Sequence, residues 1–172
     1  MHLVGLFSKF FSKEKKTKEV RARDPFSIQV GDIVEYDLED YETVGKIIYR
    51  QGKYEWLSYQ LVGPTKTIWL AAEMDDEIEL GIYEKIKLPQ AKNLPSELTY
   101  EGIHYYLEEQ GAARVVGEGR SQSLTGQEIR YAEYANEEDS SFISVEFWDS
   151  EEEVSIGFPI KPFEIKIIAG SE

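Results

Sequence analysis

Residues 43–62 read TVGKIIYRQGKYEWLSYQLV, and this stretch decides the fold. Two runs rich in β-branched and aromatic side chains, Thr43–Tyr49 and Tyr54–Val62, flank the turn signal Gln51-Gly52. Such side chains fit a pleated, half-buried surface, and glycine supplies turn conformations that other residues resist. The stretch reads as two strands joined by a short turn.

The same grammar extends in both directions. Asp32–Tyr36 precedes the pair, and Thr67–Glu73 and Gly81–Lys87 follow it. A second set comprises Ile103–Leu107, Ala113–Arg120, Gln127–Ala135, Phe142–Trp148, Val154–Ile160 and Glu164–Ile168. Turns are read at Glu39-Asp40, Gly63-Pro64, Gln110-Gly111 and Thr125-Gly126. A strand spacing of about a dozen residues suits antiparallel meanders, not βαβ units. An internal echo relates the halves: Ile68-Trp-Leu-Ala-Ala-Glu73 and Phe142-Ile-Ser-Val-Glu146 are each followed by an acidic cluster. Ile78-Glu-Leu-Gly81 and Val154-Ser-Ile-Gly157 come next in their respective halves. The expectation is an all-β fold of two related antiparallel β-meander units, barrel- or sandwich-like, with a short N-terminal amphipathic helix. The units span 27–90 and 97–169, joined by the Pro/Asn-containing stretch Leu88–Pro95; residues 1–24 form a basic segment and linker. The competing account of the echo is chance likeness between two amphipathic meanders.

The 172-residue chain carries a formal net charge of -14, and that charge is unevenly placed. Residues 1–24 hold seven basic and three acidic side chains, so a +4 head precedes a -18 body. A body so acidic argues against nucleic acid as a partner, since that affinity rests on Lys and Arg neutralising phosphates. On a helical wheel Leu3, Val4, Leu6, Phe7, Phe10 and Phe11 share one arc, with Lys9 and Lys13 off it and Lys15 and Lys16 beyond. The apolar run is too short to span a bilayer. One reading is a peripheral anchor: Leu3, Leu6, Phe7, Phe10 and Phe11 contact the membrane while Lys9, Lys13, Lys15 and Lys16 attract anionic lipid. The other is a frayed terminus, or a helix packed on its own domain or a partner. About a dozen leash residues would hold the acidic body roughly 20 Å from the lipid, where salt screens the repulsion.

Few residues here support catalysis. Cys is absent, which removes disulfides, thiolate metal sites and Cys nucleophiles. His2 lies in the head, and His104 sits in Ile103-His-Tyr-Tyr, a strand pattern with no nucleophile elbow around any Ser. Gly117-Glu-Gly119 lacks the third glycine and the lysine of a phosphate cradle, and a close strand crossing explains it better. The acidic clusters lack the spacing of an EF-hand and read as solvated turns. The sequence thus assigns no catalytic residue, no cofactor and no metal. A glycosidase-like acid pair stays open, because its members need not be close in sequence.

One combination points to a ligand. Tyr36, Tyr41, Tyr49, Tyr54, Trp56, Tyr59, Trp69 and Tyr83 sit among many carboxylates. Rings and acids together form a cage for an organic cation or polyamine, through cation–π contacts and ion pairs. Trp56, Tyr59, Trp69, Glu73, Asp75 and Asp76 are the candidate ligand or partner surface; the competing reading makes the rings core.

Residues 27–86 resemble the bacterial DUF4178 family. The likeness is carried by Val30-Gly-Asp-Ile-Val34, by Tyr41 with Val44-Gly45-Lys46, by Trp56-x-x-Tyr59-x-Leu61, and by Trp69-Leu70 with the acidic tract after it. It implies a bacterial cytoplasmic protein and brings no activity or catalytic residues with it. The leading expectation is a non-enzymatic binding or adaptor protein, held at an anionic membrane surface or on a membrane protein by its head. A binder of polyamine or another small cation is the alternative, and a hydrolase with an unrecognised carboxylate pair a further one.

Overall fold

The computed structural model describes residues 22–149 and 151–170. The expected N-terminal helix, with Leu3 through Lys16, lies outside them. Among the described residues there is no α-helix; eleven strands and three short 3₁₀ turns make up the regular structure.

Strand β1 (Ile33–Tyr36) turns through Asp37 and Leu38 into β2 (Glu39–Gln51). Both turn residues have positive φ, 50° and 66°, as a two-residue type I′ hairpin requires. The turn therefore falls two residues before the expected Glu39-Asp40, which instead opens β2 and pairs with Glu35 and Tyr36. The chain continues as a meander: β3 (Tyr54–Val62), β4 (Thr67–Met74) and β5 (Ile78–Ile86). The stretch read as a joining segment, Leu88–Pro95, contains a 3₁₀ turn over Pro89–Asn93 with Ala91 fully buried.

The second half repeats the pattern. Strand β6 (Glu97–Tyr100), absent from the expected set, turns through Glu101 and Gly102 into β7 (Ile103–Gly119). These turn residues also have positive φ, 49° and 82°. The Gln110-Gly111 turn is not formed, and two expected strands merge into a single 17-residue one. Gly111 marks a close approach instead: a Cβ there would meet the Gln51 amide and the Tyr131 hydroxyl. Strands β8 (Glu128–Ala135), β9 (Phe142–Trp148) and β10 (Glu151–Ile160) complete the second meander, and β11 (Ile165–Ile168) returns to pair with β1.

All pairings are antiparallel, in the order β11-β1-β2-β3-β4-β5-β10-β9-β8-β7-β6. A further ladder between β2 and β7, Gly45 opposite Gly119 through Arg50 opposite Arg114, closes eight of these strands into a barrel. The choice between barrel and sandwich is thereby made, and both meanders build one barrel. At the seam Gly117 lies so close to Ser121 that a Cβ would overlap the Ser121 carbonyl. That approach explains a glycine there without a phosphate.

Strand alternation gives the barrel two outer cores and one inner face. Tyr59, Leu61, Ile68, Leu70 and Ile82 pack outward against Ile28, Val34 and Tyr41. Leu98, Tyr105, Tyr134, Ile143 and Val145 form the matching core of the second meander with Ala91 and Leu88. In each, a buried tyrosine is tied to a proline carbonyl: Tyr59 donates to Pro25 at 2.8 Å and Tyr134 to Pro95 at 2.7 Å. With these faces filled, the remaining side chains of β3, β4, β5, β8, β9 and β10 point into the lumen.

Candidate functional site

The lumen encloses a cavity of about 1190 Å³, opening where the β4–β5 turn and the β8–β9 loop meet. That is larger than the roughly 300–1,000 Å³ usual for small-molecule sites. At the other end Trp148, Val115 and Ile129 pack together, and no residue of the β3–β4 turn reaches the cavity.

Aromatic rings form much of the wall. Trp56 stacks on its cross-strand partner Tyr49, centroids 5.2 Å apart and planes 2° from parallel. It meets Tyr131 edge-on at 5.4 Å and Tyr54 tilted at 5.6 Å. Tyr83 lies across the opposite strand pair, its ring covering Gly157, where any Cβ would overlap it. Small residues on neighbouring positions (Ser58, Ala71, Gly81, Ser144, Ser155) keep the space open.

Carboxylates occupy the rest. Among the described residues eleven line the cavity, against two lysines, Lys85 and Lys161, and no Arg, His, Asn or Gln. Glu146 of β9 accepts from Trp148 Nε1 at 3.2 Å and from the Tyr49 hydroxyl. Burial raises its pKa to about 7, with the Glu153 charge adding and those two hydrogen bonds and Lys85 opposing. Glu133 of β8 has no hydrogen-bond or ion-pair partner among the described residues. Burial, then the charges of Glu146, Glu73 and Glu109, push its pKa up to about 8. At the mouth Tyr54 donates to Glu73, and the Tyr131 hydroxyl lies 3.0 Å from Glu109 Oε2 and 3.1 Å from Gln51 Oε1. Lys85, itself solvent-exposed, lies 3.1 Å from Glu153 and 5.2 Å from the centre of the Trp69 ring.

The structure brings five of the six sequence candidates together: Trp56, Trp69, Glu73, Asp75 and Asp76 all line this cavity. Tyr59 is fully buried in the outer core, facing away. His104 is exposed on the β6–β7 hairpin, its Nδ1 3.0 Å from Thr99 Oγ1, and does not line the cavity. Glu133 and Glu146 are missed in sequence because each is a lone acid inside an apolar strand, and Glu153 because it ends the Glu151–Glu153 run, which reads as a solvated turn. The signal available was an acid flanked by apolar or aromatic residues on both sides, as in Tyr131-Ala-Glu-Tyr-Ala135 and Ser144-Val-Glu-Phe-Trp148. Among the described residues no three acidic or His side chains converge closely enough for a metal ion.

A family model described as a domain of unknown function, DUF4178, matches residues 29–162. An uncharacterized protein of Aquifex aeolicus is 27% identical over 182 aligned positions, covering 98% of both chains. Uncharacterized proteins of Mycobacterium bovis and Mycobacterium tuberculosis are 26% identical over 129 positions, 72% of this chain and 62% of theirs. No solved structure matches the chain.

Proposed function

This chain belongs to the DUF4178 family, and we propose that it is a non-enzymatic binding protein whose barrel lumen receives a small organic cation. The observation that carries this reading is the charge of the cavity wall: eleven carboxylates and two lysines around stacked rings. An aromatic face attracts a cation by about 0.5–2 kcal/mol, more when water is excluded, and a partly buried carboxylate adds a charge-assisted hydrogen bond. Isothermal calorimetry of the full chain with spermidine tests it. Saturable heat that persists in physiological salt is expected; its absence removes the reading.

A second reading is favoured by one observation. Glu133 and Glu146 stand diagonally across the β8–β9 ladder, Glu133 opposite Ser144 and Glu146 opposite Tyr131, a spacing of about 7–8 Å. Acid pairs at such distances hydrolyse glycosidic bonds. Among the described residues the wall offers a sugar no Arg, His, Asn or Gln to grip its hydroxyls, so the cation reading ranks first. Turnover of aryl glycosides, abolished in Glu133→Gln, would reverse that order.

The head adds a location to either reading: residues 1–18 hold the protein peripherally at an anionic membrane, on the inner face of a bacterial cell or on a membrane protein there. The acidic wall and the basic head then serve different surfaces. We also read the units 27–90 and 97–169 as diverged copies, supported by their matching type I′ hairpins and matching tyrosine-to-proline bonds.

A further inference from the structure

The two meanders share a device that sets which way their long strands face. In β7 the register slips between Leu107 and Glu109, leaving Glu108 unopposed as a β-bulge. Before it Tyr105 and Leu107 pack outward; after it Glu109 lines the cavity, and Ala113 and Val115 join the inner cluster. The bulge thus turns Glu109 inward, directly opposite Glu133 of β8. In β2 the register slips in the same way between Thr43 and Gly45, and there Gly45 stands opposite Gln60. A Cβ at Gly45 would meet the Ser121 hydroxyl, so neutral groups fill that position. The bulge therefore needs no acid, and the acid pair belongs to one half only.

Carboxylates directly across a strand pair repel, so Glu109 and Glu133 destabilise the barrel that carries them. The charges of Glu146 on β9 and Glu73 on β4 act on Glu133 as well, so the inner acids form one cluster. Three of the four accept from aromatic donors: Glu109 from Tyr131, Glu146 from Trp148 and Tyr49, and Glu73 from Tyr54. Glu133 alone has no donor among the described residues, and its oxygens are the acceptors a cationic group would meet. Rings adjoin it. Tyr131 lies two residues away on the same face of β8, and Trp56 meets Tyr131 edge-on at 5.4 Å. Burial and then the Glu133 charge raise the Tyr83 pKa, which sets that ring beside Glu133 from β5. Among the described residues no three acids converge as a compact metal ion requires.

We propose that the lumen receives a one-headed organic cation, its single ammonium between Glu109 and Glu133 and its uncharged body on Tyr131, Trp56 and Tyr83. This rests on the cation reading and narrows it to a ligand class. An ammonium carries several donors, so it bridges two facing carboxylates and relieves their repulsion at once. Glu146 and Glu73 strengthen its hold through their charge. Because these acids gather at one place, a second ammonium at the far end of the ligand would lie away from the cluster and add little.

The test is a calorimetric series on the full chain in physiological salt. The probes are n-alkylamines of increasing length and α,ω-diaminoalkanes of matching length. Affinity for the monoamines should rise with length as methylenes cover the rings. Each diamine should stay within about twofold of its monoamine, the statistical gain of two equivalent ends. Glu109→Gln and Glu133→Gln should each weaken the best monoamine by about tenfold, one charge-assisted contact. Glu118→Gln, further along β7 and outside the cavity, should leave it unchanged. A diamine about tenfold tighter than its monoamine, no dependence on length, or full affinity in both lumenal variants overturns the one-headed proposal while leaving a lumenal cation site standing. No saturable binding of any amine overturns both.

Discussion

Lys85 holds its ammonium 5.2 Å from the centre of the Trp69 ring, inside a cavity where carboxylates outnumber lysines. The pair is a half-exposed cation–π contact completed by Glu153 at 3.1 Å. It occupies one of the places an incoming ammonium would take.

Lys85→Met therefore removes a competitor. The ion pair is partly solvated, and such pairs contribute about 0–1 kcal/mol, so folding should change little. Cation affinity should rise several-fold as Trp69 and Glu153 become free. Unchanged or weaker binding of spermidine in calorimetry would remove Lys85 from the site.

Tyr59 and Trp69 separate core from site. Trp69→Leu should weaken amine binding about tenfold, the loss of one aromatic face, with modest effect on folding. Tyr59→Phe loses the hydrogen bond to Pro25 and should cost about 1 kcal/mol of stability without touching affinity. Urea melts alongside calorimetry check both; an affinity loss in Tyr59→Phe would contradict the division into faces.

Glu133 gives a pH signature. The groups acting on it are Glu109 on β7, Glu146 on β9 and Glu73 on β4, with the hydroxyls of Tyr49, Tyr83 and Tyr131 nearby. Its folded pKa, about 8, lies above the ordinary value of 4.5. Between those values the folded state binds more protons than the unfolded state, so stability falls as pH rises through this window and levels off above it. The full effect is roughly 2–4 kcal/mol. Glu133→Gln should thus raise the melting temperature by about 5 °C or more at pH 8.5 and hardly change it at pH 4. Equal melting shifts at both pH values would place Glu133 in contact with water.

The head predicts a lipid effect. Liposomes containing anionic lipid should co-sediment the full chain more than a chain starting at Arg21, with high salt weakening the difference. Equal sedimentation would end the membrane reading.

How the sequence conveys this molecule depends on which face a residue serves. The strands around Gln51-Gly52 are legible because turn and strand chemistry are local. Leu38 misleads: a leucine at positive φ hides a type I′ turn, whereas Glu101-Gly102 carries the usual glycine in its second hairpin. Gly111 misleads in the opposite sense, since its role depends on Gln51 and Tyr131 from other strands. Barrel closure rests on β2 meeting β7, some 70 residues later, and no local pattern encodes that pairing. For the same reason the acidic tract at Glu73, Asp75 and Asp76 was visible in sequence, while Glu133 and Glu146 emerged only when strand alternation was fixed in three dimensions.

The chain has three tryptophans, Trp56, Trp69 and Trp148, and all three belong to the inner cluster. Their indole N–H signals in a ¹H–¹⁵N spectrum report on the lumen directly. Titration with spermidine at pH 8 in physiological salt should shift the Trp56 and Trp69 signals saturably, with a smaller change at Trp148 through Glu146. Indole signals that stay fixed while surface amides move would contradict a cation site inside the barrel.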